Sequence, residues 1–294
     1  MRKFLAMVAM LAMVCCLSGC SIIVPLAFLN GYTDGSEIET EEESTFWEPP
    51  TTDHLPTSPA ISEPTTEEIT DETTTEAVTE ETTLEQVHSE YYIPGLDVDT
   101  LIQYFNEVVL DAEYSSSGNA SLVQKWDYEI KYYIHGKPTA EDLECLENTA
   151  DYINSIYGFP GMEEAAFESE ANLNIHFVNA DKLVELMGSD FALCDGGVTF
   201  WYDGYNMIYN EVICYRNDID QYTRNSVIIE EIYNGLGPVQ DTWLRPDSII
   251  YAEYTTPQEM TAVDKLILEL LYHPEIECGM DADECAEVIR RLYY

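Results

Sequence analysis

The chain has 294 residues, with 12 Lys or Arg against 56 Asp or Glu, so its formal net charge is −44. A surface this acidic repels nucleic-acid phosphates and anionic lipid headgroups, which excludes DNA or RNA binding. Cations, basic peptides and a cationic wall environment remain suitable partners. Roughly 200 residues after residue 90 are rich in Tyr, Ile, Leu and Val, enough for one substantial core.

The N-terminus carries an export signal. Arg2 and Lys3 precede an apolar run over residues 4–17. The following Leu-Ser-Gly-Cys, residues 17–20, resembles a bacterial lipobox, in which Cys20 is lipidated and becomes the mature N-terminus. An uncleaved transmembrane anchor is the alternative, because residues 22–29 prolong the apolar run to a spanning length. Either interpretation places the rest of the chain outside the cytoplasm, on the extracytoplasmic face of the cell membrane.

Residues 33–88 differ in composition from the rest of the chain. They contain Thr-Thr-Glu repeats and no Lys or Arg. Uniform negative charge with low hydrophobicity cannot offset the entropy of the chain, which predicts disorder. We therefore divide the chain into a signal peptide (1–20), a disordered acidic stalk (21–90) that carries the domain through the cell wall, and a folded domain (91–294).

The folded domain begins with an alternation of helical and extended patterns. Asp97 is typical of a helix cap. Apolar spacing and turn residues predict a helix over 97–113, a strand over 126–134, a helix over 139–157, a strand over 173–178 and a short helix over 181–187. Helices and strands interspersed around one sheet predict an α+β domain.

A hairpin is the next feature. Asp203-Gly204 is typical of a two-residue type I′ turn. Pairing outward from that turn places Phe200 opposite Met207, Val198 opposite Tyr209, and Cys194 opposite Ile213. A disulfide between Cys194 and Cys214 then becomes geometrically plausible, if a bulge at Gly196-Gly197 absorbs the offset of one residue.

Three further helices are predicted in the last third of the domain. The first covers 224–236 and ends at Gly235 and Gly237, since glycine accepts the left-handed conformation that ends a helix. Thr256 and Glu259 form a capping box for the second. Asp281 caps the third, which ends in Arg290 and Arg291 against the negative end of its dipole.

Five cysteines remain after the signal peptide and Cys20 are set aside, and outside the cytoplasm most of them should pair. The second predicted disulfide is Cys278–Cys285, which would close the turn before the last helix. Cys145 is left over, and we expect it to be buried in the second helix.

The helix over 224–236 carries the pattern that bears on chemistry. Aligning H-E-x-x-H-x-x-G-x-x-H with it places Glu230, Glu231, Asn234, Gly237 and Gln240 on the named positions. The glutamate that serves as general base is present as Glu231, and the glycine is present, but all three histidines are absent. None of the five histidines of the chain falls at a ligand position.

Several segments share their order with one group of enzymes. The hairpin, the helix with Glu-Glu-Ile-Tyr-Asn-Gly-Leu-Gly, the turn Ser248-Ile-Ile and the helix containing Ala262-Val-Asp-Lys-Leu resemble metzincin-like metallopeptidases. The chain resembles more closely a bacterial secreted family of unknown function with E-E-x-x-[QN]-x-L-G-x-x-[NQ]-D in that helix. The resemblance implies a zincin-like domain in which strand 198–202 rims a cleft above the helix.

The resemblance also defines which groups would line the cleft. Glu230, Asn234 and Gln240, with Asp241 adjacent, supply only oxygen ligands, which suit Ca²⁺ or Mg²⁺ better than Zn²⁺. A general base at Glu231 needs an activated water, so hydrolysis without zinc would be weak. Trp201 and Tyr202 lie on the rim strand with opposite orientations, so only one of them can face the cleft.

Three functions are consistent with these patterns. The first is a pseudoenzyme that binds a peptide, a glycan or a partner protein in the cleft. The second is a hydrolase in which carboxylates or an oxygen-ligand metal site replace zinc and Glu231 acts as base. Adjacent residues diverge by about 100° around a helix, which argues against Glu230 and Glu231 acting on one point. The third is a structural role with both glutamates solvated.

Overall fold

A computed structural model of the protein describes residues 89–110 and 122–294. The predicted signal peptide, the lipid attachment at Cys20 and residues 21–88 of the predicted stalk lie outside the described residues, so these three expectations remain predictions. Within the described ranges, no helix combines the length and the apolar character needed to cross a bilayer.

The domain begins with α1 (Val98–Phe105), whose first turn is capped by the Asp97 carboxylate accepting from the Thr100 backbone N–H at 2.9 Å. The predicted cap is therefore confirmed. A wider helical turn follows over Asn106–Leu110. The remainder of the predicted helix, 111–113, lies outside the described residues. Leu101, Phe105 and Val108 are fully buried, so this segment packs into the core.

A five-stranded mixed sheet forms the centre of the domain, in the order β2-β1-β3-β5-β4. Strands β1, β2, β3 and β5 are mutually parallel, and β4 runs antiparallel to β5 at one edge. The strands are β1 (Ile130–Gly136), β2 (Met162–Glu164), β3 (Leu173–Val178), β4 (Gly196–Tyr202) and β5 (Ile208–Arg216). The mixed sheet with a hairpin strand at its edge is confirmed, and β3 has its predicted bounds. The short edge strand β2 was not predicted.

Six α-helices occur in the described part of the chain. After α1 they are α2 (Ala140–Asn154), α3 (Ala180–Met187), α4 (Gln221–Gly235), α5 (Ala262–Leu271) and α6 (Ala282–Tyr293). Helices α3 and α4 lie on opposite faces of the sheet. Cys214 of β5 packs with Leu183 of α3, whereas the next residue, Tyr215, donates a hydrogen bond to the Ile228 carbonyl of α4. Consecutive strand residues point to opposite faces, so these two contacts define the layers.

The predicted hairpin turn and register are wrong. Tyr202 pairs with Ile208, so residues 203–207 form a five-residue loop instead of a two-residue turn. The Asp203 carboxylate accepts from the backbone N–H groups of Tyr205 and Met207, and Asn206 takes a φ of 63°. These local hydrogen bonds stabilise the longer loop. Val198 consequently pairs with Ile213, the position predicted for Cys194.

The capping box predicted for the second of the last three helices, Thr256 with Glu259, is also wrong. Residues 256–260 are not helical, and α5 begins at Ala262, where Thr261 and Asp264 form the capping box. Burial decides between the two boxes, because Asp264 is fully buried whereas Glu259 is exposed. The cap predicted for the last helix is confirmed, since Asp281 and Glu284 form the capping box of α6, with Arg290 and Arg291 in its last turn.

The first strand begins four residues later than predicted, at Ile130.

The structure shows no disulfide bond among the five cysteines of the described residues. Cys194 and Cys214 share a small apolar cluster with Leu183 and Phe191, but the register offers no direct cross-strand pairing between them, because Cys214 lies opposite Gly197. The two predicted disulfides, Cys194–Cys214 and Cys278–Cys285, are therefore not shown. Cys145 lies in α2 as expected but is only half-buried, and burial raises the pKa of its thiol to about 11.

Candidate functional site

Helix α4 runs between the sheet and the C-terminal part of the domain. Asp220 caps it by accepting from the Thr223 backbone N–H at 3.0 Å. Every residue from 226 to 236 is buried. The Tyr233 hydroxyl donates to the carbonyl of Asp264 in α5, which joins the helix to the C-terminal part. Its end matches the prediction, because Gly237 takes a φ of 127°. The start lies three residues earlier than predicted, since Asp220 supplies the cap.

The two glutamates of the motif are both buried, with exposed fractions of 7% for Glu230 and 0% for Glu231. The Glu231 side chain lies against the first residue of the edge strand. A Cβ atom at Gly196 would stand 2.9 Å from Glu231 Oε1 and 2.4 Å from a methyl group of Val227. Glycine at this position therefore allows α4 to approach β4 closely.

A third buried glutamate, Glu211 of β5, was not anticipated from the sequence. A Cβ atom at Gly235 would stand 1.7 Å from Glu211 Oε1, so the carboxyl group lies directly on α4. Within the described residues, Glu211 Oε1 accepts no hydrogen bond. Burial raises the pKa of Glu211 well above its usual value; the nearby Trp126 indole partly offsets this shift, and Glu231 adds to it. The sequence contains only a weak indication that Glu211 is buried. In the alternating pattern of the strand, this glutamate occupies a position where an apolar residue is expected.

Glu230 faces a separate group of carboxylates. Its pKa is raised well above the usual value by burial and then by Glu231, Asp241 and Asp195. We call Glu230, Asp195 and Asp241 the acidic cluster. Asp195 immediately precedes β4 and forms an ion pair with Arg216 at 3.1 Å. Glu230 thus lies within electrostatic range of Glu231 and Asp241, which the sequence predicted as site residues, and of Asp195.

The turn after α4 is fixed by one buried carboxylate, Asp264. Its Oδ1 accepts from the Ser248 hydroxyl at 2.7 Å and from the Tyr104 hydroxyl at 3.2 Å. Its Oδ2 accepts from the backbone N–H groups of Ile249 and Thr261. The turn containing Ser248-Ile249-Ile250 is therefore attached to the start of α5, where the Asp264 carbonyl accepts from Tyr233 of α4.

An ion pair fixes the start of α4 to α2. Arg224 Nε donates to Asp142 Oδ1 at 2.6 Å, and both side chains are almost completely buried. Gln221 also donates to the same carboxylate oxygen. Burial alone would raise the pKa of Asp142, but hydrogen bonds from Arg224, Thr139 and Gln221 outweigh it and lower that pKa.

The outer edge of β4 has no neighbouring strand within the described residues, although the first half of the strand is buried. Among the described residues, β4 pairs only with β5, so the backbone groups on its other side have no strand partner. Asp195 directly precedes β4, and the predicted rim residues Trp201 and Tyr202 lie at the far end of the strand beside a bulge. Trp201 is half-buried, and Tyr202 is 36% exposed.

The ligand positions do not fit a zinc ion. Glu230, Asn234 and Gln240 supply one carboxylate and two amides, whereas zinc sites use imidazole, thiolate and carboxylate groups. Within residues 89–110 and 122–294, no group of three or more His, Cys, Asp or Glu side chains is arranged to hold a metal ion. The Gln240 backbone N–H is used to bind the Val108 carbonyl at 3.2 Å.

Two histidines form a stacked pair on neighbouring strands of the sheet. His135 of β1 and His176 of β3 are direct neighbours in the register, and their rings stack at 4.2 Å between centroids. His176 lies beside Cys214 and therefore on the α3 side of the sheet. Burial, with His135 and Lys182 nearby, lowers the pKa of His176 to about 4. The pair is thus separated from α4 by the sheet.

Comparison with known proteins yields one relationship. A family model described as a protein of unknown function, DUF2927, matches residues 98–291, which include α1, the whole sheet and most of α6. The chain belongs to this family. The match spans both the edge strand and the acidic cluster, so the site lies within the family domain. No curated protein matches the chain.

Proposed function

We propose that this DUF2927 domain is a zincin-like binding module, tethered outside the cytoplasm by a lipid on Cys20 and a stalk. Its ligand would be an extended peptide segment that pairs with the outer edge of β4. Glu231 would then be a relic of the general-base position and not a catalytic residue. The alternative is a hydrolase that uses a buried pair of carboxyl groups.

The order of the elements supports the zincin-like part of this proposal. The antiparallel edge strand β4, then β5, then α4 carrying Glu231, follow one another as the resemblance requires. The Ser248 turn follows, and Asp264 at the start of α5 accepts its hydrogen bonds. A sequence resemblance could arise without these contacts, so their presence favours the assignment.

The unpaired edge of β4 carries the binding proposal. An exposed strand edge presents backbone donors and acceptors to which an extended peptide can add as a further strand. Edges of this kind also invite unwanted pairing unless charge or bulges limit access. Here the bulge between Trp201 and Tyr202 ends the regular edge, and Asp195 precedes it. The usable edge is therefore short, which suits a peptide of a few residues.

Burial of Glu231 disfavours catalysis. Its exposed fraction is 0%, and a general base must come within hydrogen-bond reach of the proton that it abstracts. The hydrolase alternative rests on Glu211, which lies near enough to Glu231 to interact electrostatically. Two carboxyl groups with different proton affinities can divide acid and base roles. That alternative needs a movement that opens α4 to a substrate.

Peptide binding can be tested with the full-length chain in detergent and a library of extended peptides, using fluorescence anisotropy. Peptides that bind are then N-methylated at each residue in turn. Pairing with a strand edge requires that methylation at alternate residues weakens binding while methylation between them has little effect, because only every second N–H points to the partner. Binding that is insensitive to methylation at every residue would contradict the proposal.

The same peptides separate binding from hydrolysis. We expect mass spectrometry to show intact peptides after prolonged incubation with the protein. If cleavage occurs and Glu231→Gln abolishes it while Glu144→Gln does not, the hydrolase alternative replaces the binding proposal. Glu144 lies on the exposed side of α2, so it controls for the loss of one negative charge.

A further inference from the structure

The two faces of the sheet are covered to very different extents. On β3, the residues Leu173, Ile175 and Phe177 point toward α4 and are buried, whereas the alternate residues are only half-buried. The same half-buried state recurs on that face of the neighbouring strands, from Tyr133 of β1 to Trp201 of β4. Parallel sheets normally have both faces covered. The face on the α3 side is therefore unusually accessible for a sheet of this kind.

Helix α3 and the turn that follows it cover only one end of this face. Leu183 packs with Cys214 of β5, and the ring of Phe191 lies over Gly197 of β4. Trp201 and Asn210 are direct neighbours at the other end of the same two strands. We call the half-buried remainder the open face, and its main side chains are Tyr133, His135, Asn174, His176, Trp201 and Asn210.

Side chains of the open face are held in place by contacts with one another. The rings of His135 and His176 stack at 4.2 Å between centroids, and Tyr133 meets His135 edge to face at 5.0 Å. His135 Nε2–H donates to Asn174 Oδ1 at 3.0 Å. Asn174 in turn lies directly beside Tyr133 in the register. Aromatic rings and an amide are thus fixed side by side, and such preorganisation is what a recognition surface requires.

Charge and polarity define the kind of ligand that fits the open face. The cations on this side of the sheet are paired, since Lys131 binds Glu163 at 3.1 Å and Lys182 binds Glu185 at 2.5 Å. An ionic ligand would therefore gain little here. The central part of a stable protein interface is mainly apolar, whereas rings and amides predominate on this face. A sugar matches it, because its C–H groups pack on rings and its hydroxyl groups bond to amides.

We propose that the open face binds a neutral glycan, an extended chain of acetamido sugars laid across the strands. Neighbouring strands lie about 4.8 Å apart, which is close to the length of one sugar unit, so successive sugars would meet successive strands. An acetamido group has one donor and one acceptor, as the amides of Asn174 and Asn210 require. The open face lies on the opposite side of the sheet from α4, so this inference does not rest on peptide binding at β4.

Binding is tested by isothermal titration calorimetry of the full-length chain in a detergent without a sugar headgroup. The ligand is a short soluble oligomer of N-acetylglucosamine. We expect saturable binding that changes little with salt, because the oligomer carries no charge. The deacetylated oligomer is cationic, and its attraction to the acidic chain should weaken steeply as salt is added. Comparison of the two separates recognition of the sugar from general attraction.

Protein variants assign the binding to the open face. Tyr133→Ala removes one ring and should weaken binding at least about fivefold, the size expected for one aromatic contact. Asn174→Asp keeps the acceptor for His135 but removes the amide donors, and should weaken binding to a similar extent. This variant serves if Tyr133→Ala folds poorly. Trp243→Ala is the control, because it removes a largely exposed ring outside the sheet and should leave the affinity unchanged.

Three results would overturn the inference. The first is that the neutral oligomer does not bind at millimolar concentration. The second is that Trp243→Ala weakens binding while Tyr133→Ala and Asn174→Asp do not, which would place the glycan on another surface. The third is a dimer in sedimentation experiments that Tyr133→Ala dissociates, which would make the open face an interface between two copies. Peptide pairing with β4 is unaffected by all three, since its N-methylation test is separate.

Discussion

At the scale of single residues, the domain is unusual because the contact between α4 and the sheet contains a buried glutamate from each of the two. Glu211 enters from β5 and Glu231 from α4, and glycines at 235 and 196 leave the room that the two carboxyl groups occupy. Neither glycine is required by a positive φ, since both have ordinary backbone angles. Close approach of a carboxyl group is the physical reason for glycine at these two positions.

Glu211→Gln should change the pH dependence of stability. The folded-state pKa of Glu211 is raised, so the stability linked to its protonation is complete below the unfolded value of about 4.3 and is lost as pH rises. We expect the free energy of unfolding of the natural protein to fall between pH 5 and pH 8. Glutamine should make that fall shallower and add on the order of 1 to 2 kcal/mol at pH 8.

Urea denaturation of the full-length chain at several pH values measures this effect. Glu144→Gln is the matched control, because it removes a carboxyl group from an exposed position of α2 and should leave the slope unchanged. Parallel pH profiles for the natural protein and Glu211→Gln would show that Glu211 does not hold its proton more tightly in the folded state.

At the scale of elements, α4 is fixed by polar contacts at both ends and by apolar packing between them. Arg224 holds its start to Asp142 of α2, and the Tyr233 hydroxyl holds its end to α5. Ile228 and Ile232 between them are buried in the core. A helix held in this way presents Glu230 and Glu231 at defined positions, which a recognition site requires.

Arg224→Met should destabilise the domain by about 3 to 5 kcal/mol, because Asp142 is left as a buried carboxylate without its counter-ion. The double variant Asp142→Leu with Arg224→Met should recover much of that loss. Since the pKa of Asp142 is lowered, the contribution of the pair is present above the unfolded value of about 3.9 and is lost as pH falls through the folded value. Denaturant unfolding of the natural protein, of the single variants Arg224→Met and Asp142→Leu, and of the double variant gives the coupling energy.

The exposed pair Arg290–Asp99 supplies the control, with about half of the arginine side chain and most of the aspartate side chain accessible. Arg290→Met should cost less than about 1 kcal/mol. A similar cost for both arginine substitutions would mean that the Arg224 pair does not fix α4 to α2.

At the scale of the whole molecule, the predicted stalk and the domain are both rich in acidic residues, so we expect the chain to attract cations. A chain with a net charge of −44 attracts cations over a surface far larger than the acidic cluster. Nonspecific attraction weakens as salt is added. Salt titration of peptide binding therefore separates pairing with the β4 edge from this general attraction.

Cys20→Ser should abolish lipid attachment and leave the signal peptide on the chain, because the thiol of a lipobox cysteine accepts the lipid and a Ser hydroxyl does not. The variant should therefore have a larger mass than the natural protein. Labelling of cells with a fatty-acid analogue and electrophoresis of the labelled protein measure the two effects. Cys16→Ser, in the apolar run, should keep both the label and the mature mass. Equal labelling of the two variants would contradict lipidation at Cys20.

Local sequence patterns predicted the structure correctly where the contacts that determine it lie between residues close in sequence. The caps at Asp97 and Asp281, the end of α4 at Gly237 and the span of β3 were all predicted, because each depends on groups within a few residues. The edge position of the hairpin strand followed from the resemblance. The hairpin turn failed, since Asp203 can cap a longer loop as readily as it can enter a two-residue turn, and burial of Ile208 selects the longer loop.

Only the tertiary structure could assign the partners of the candidate site. Glu211 lies 20 residues before Glu231 in the sequence, and Asp195 lies farther still, so no local pattern relates them. Packing of α4 against β4 and β5 places the carboxyl groups of Glu211 and Glu231 between the helix and the sheet and removes them from water. The sequence by itself determined the charge and the helix that carries the motif. The sheet decided which acidic residues lie together, because long-range packing sets both their distances and their burial.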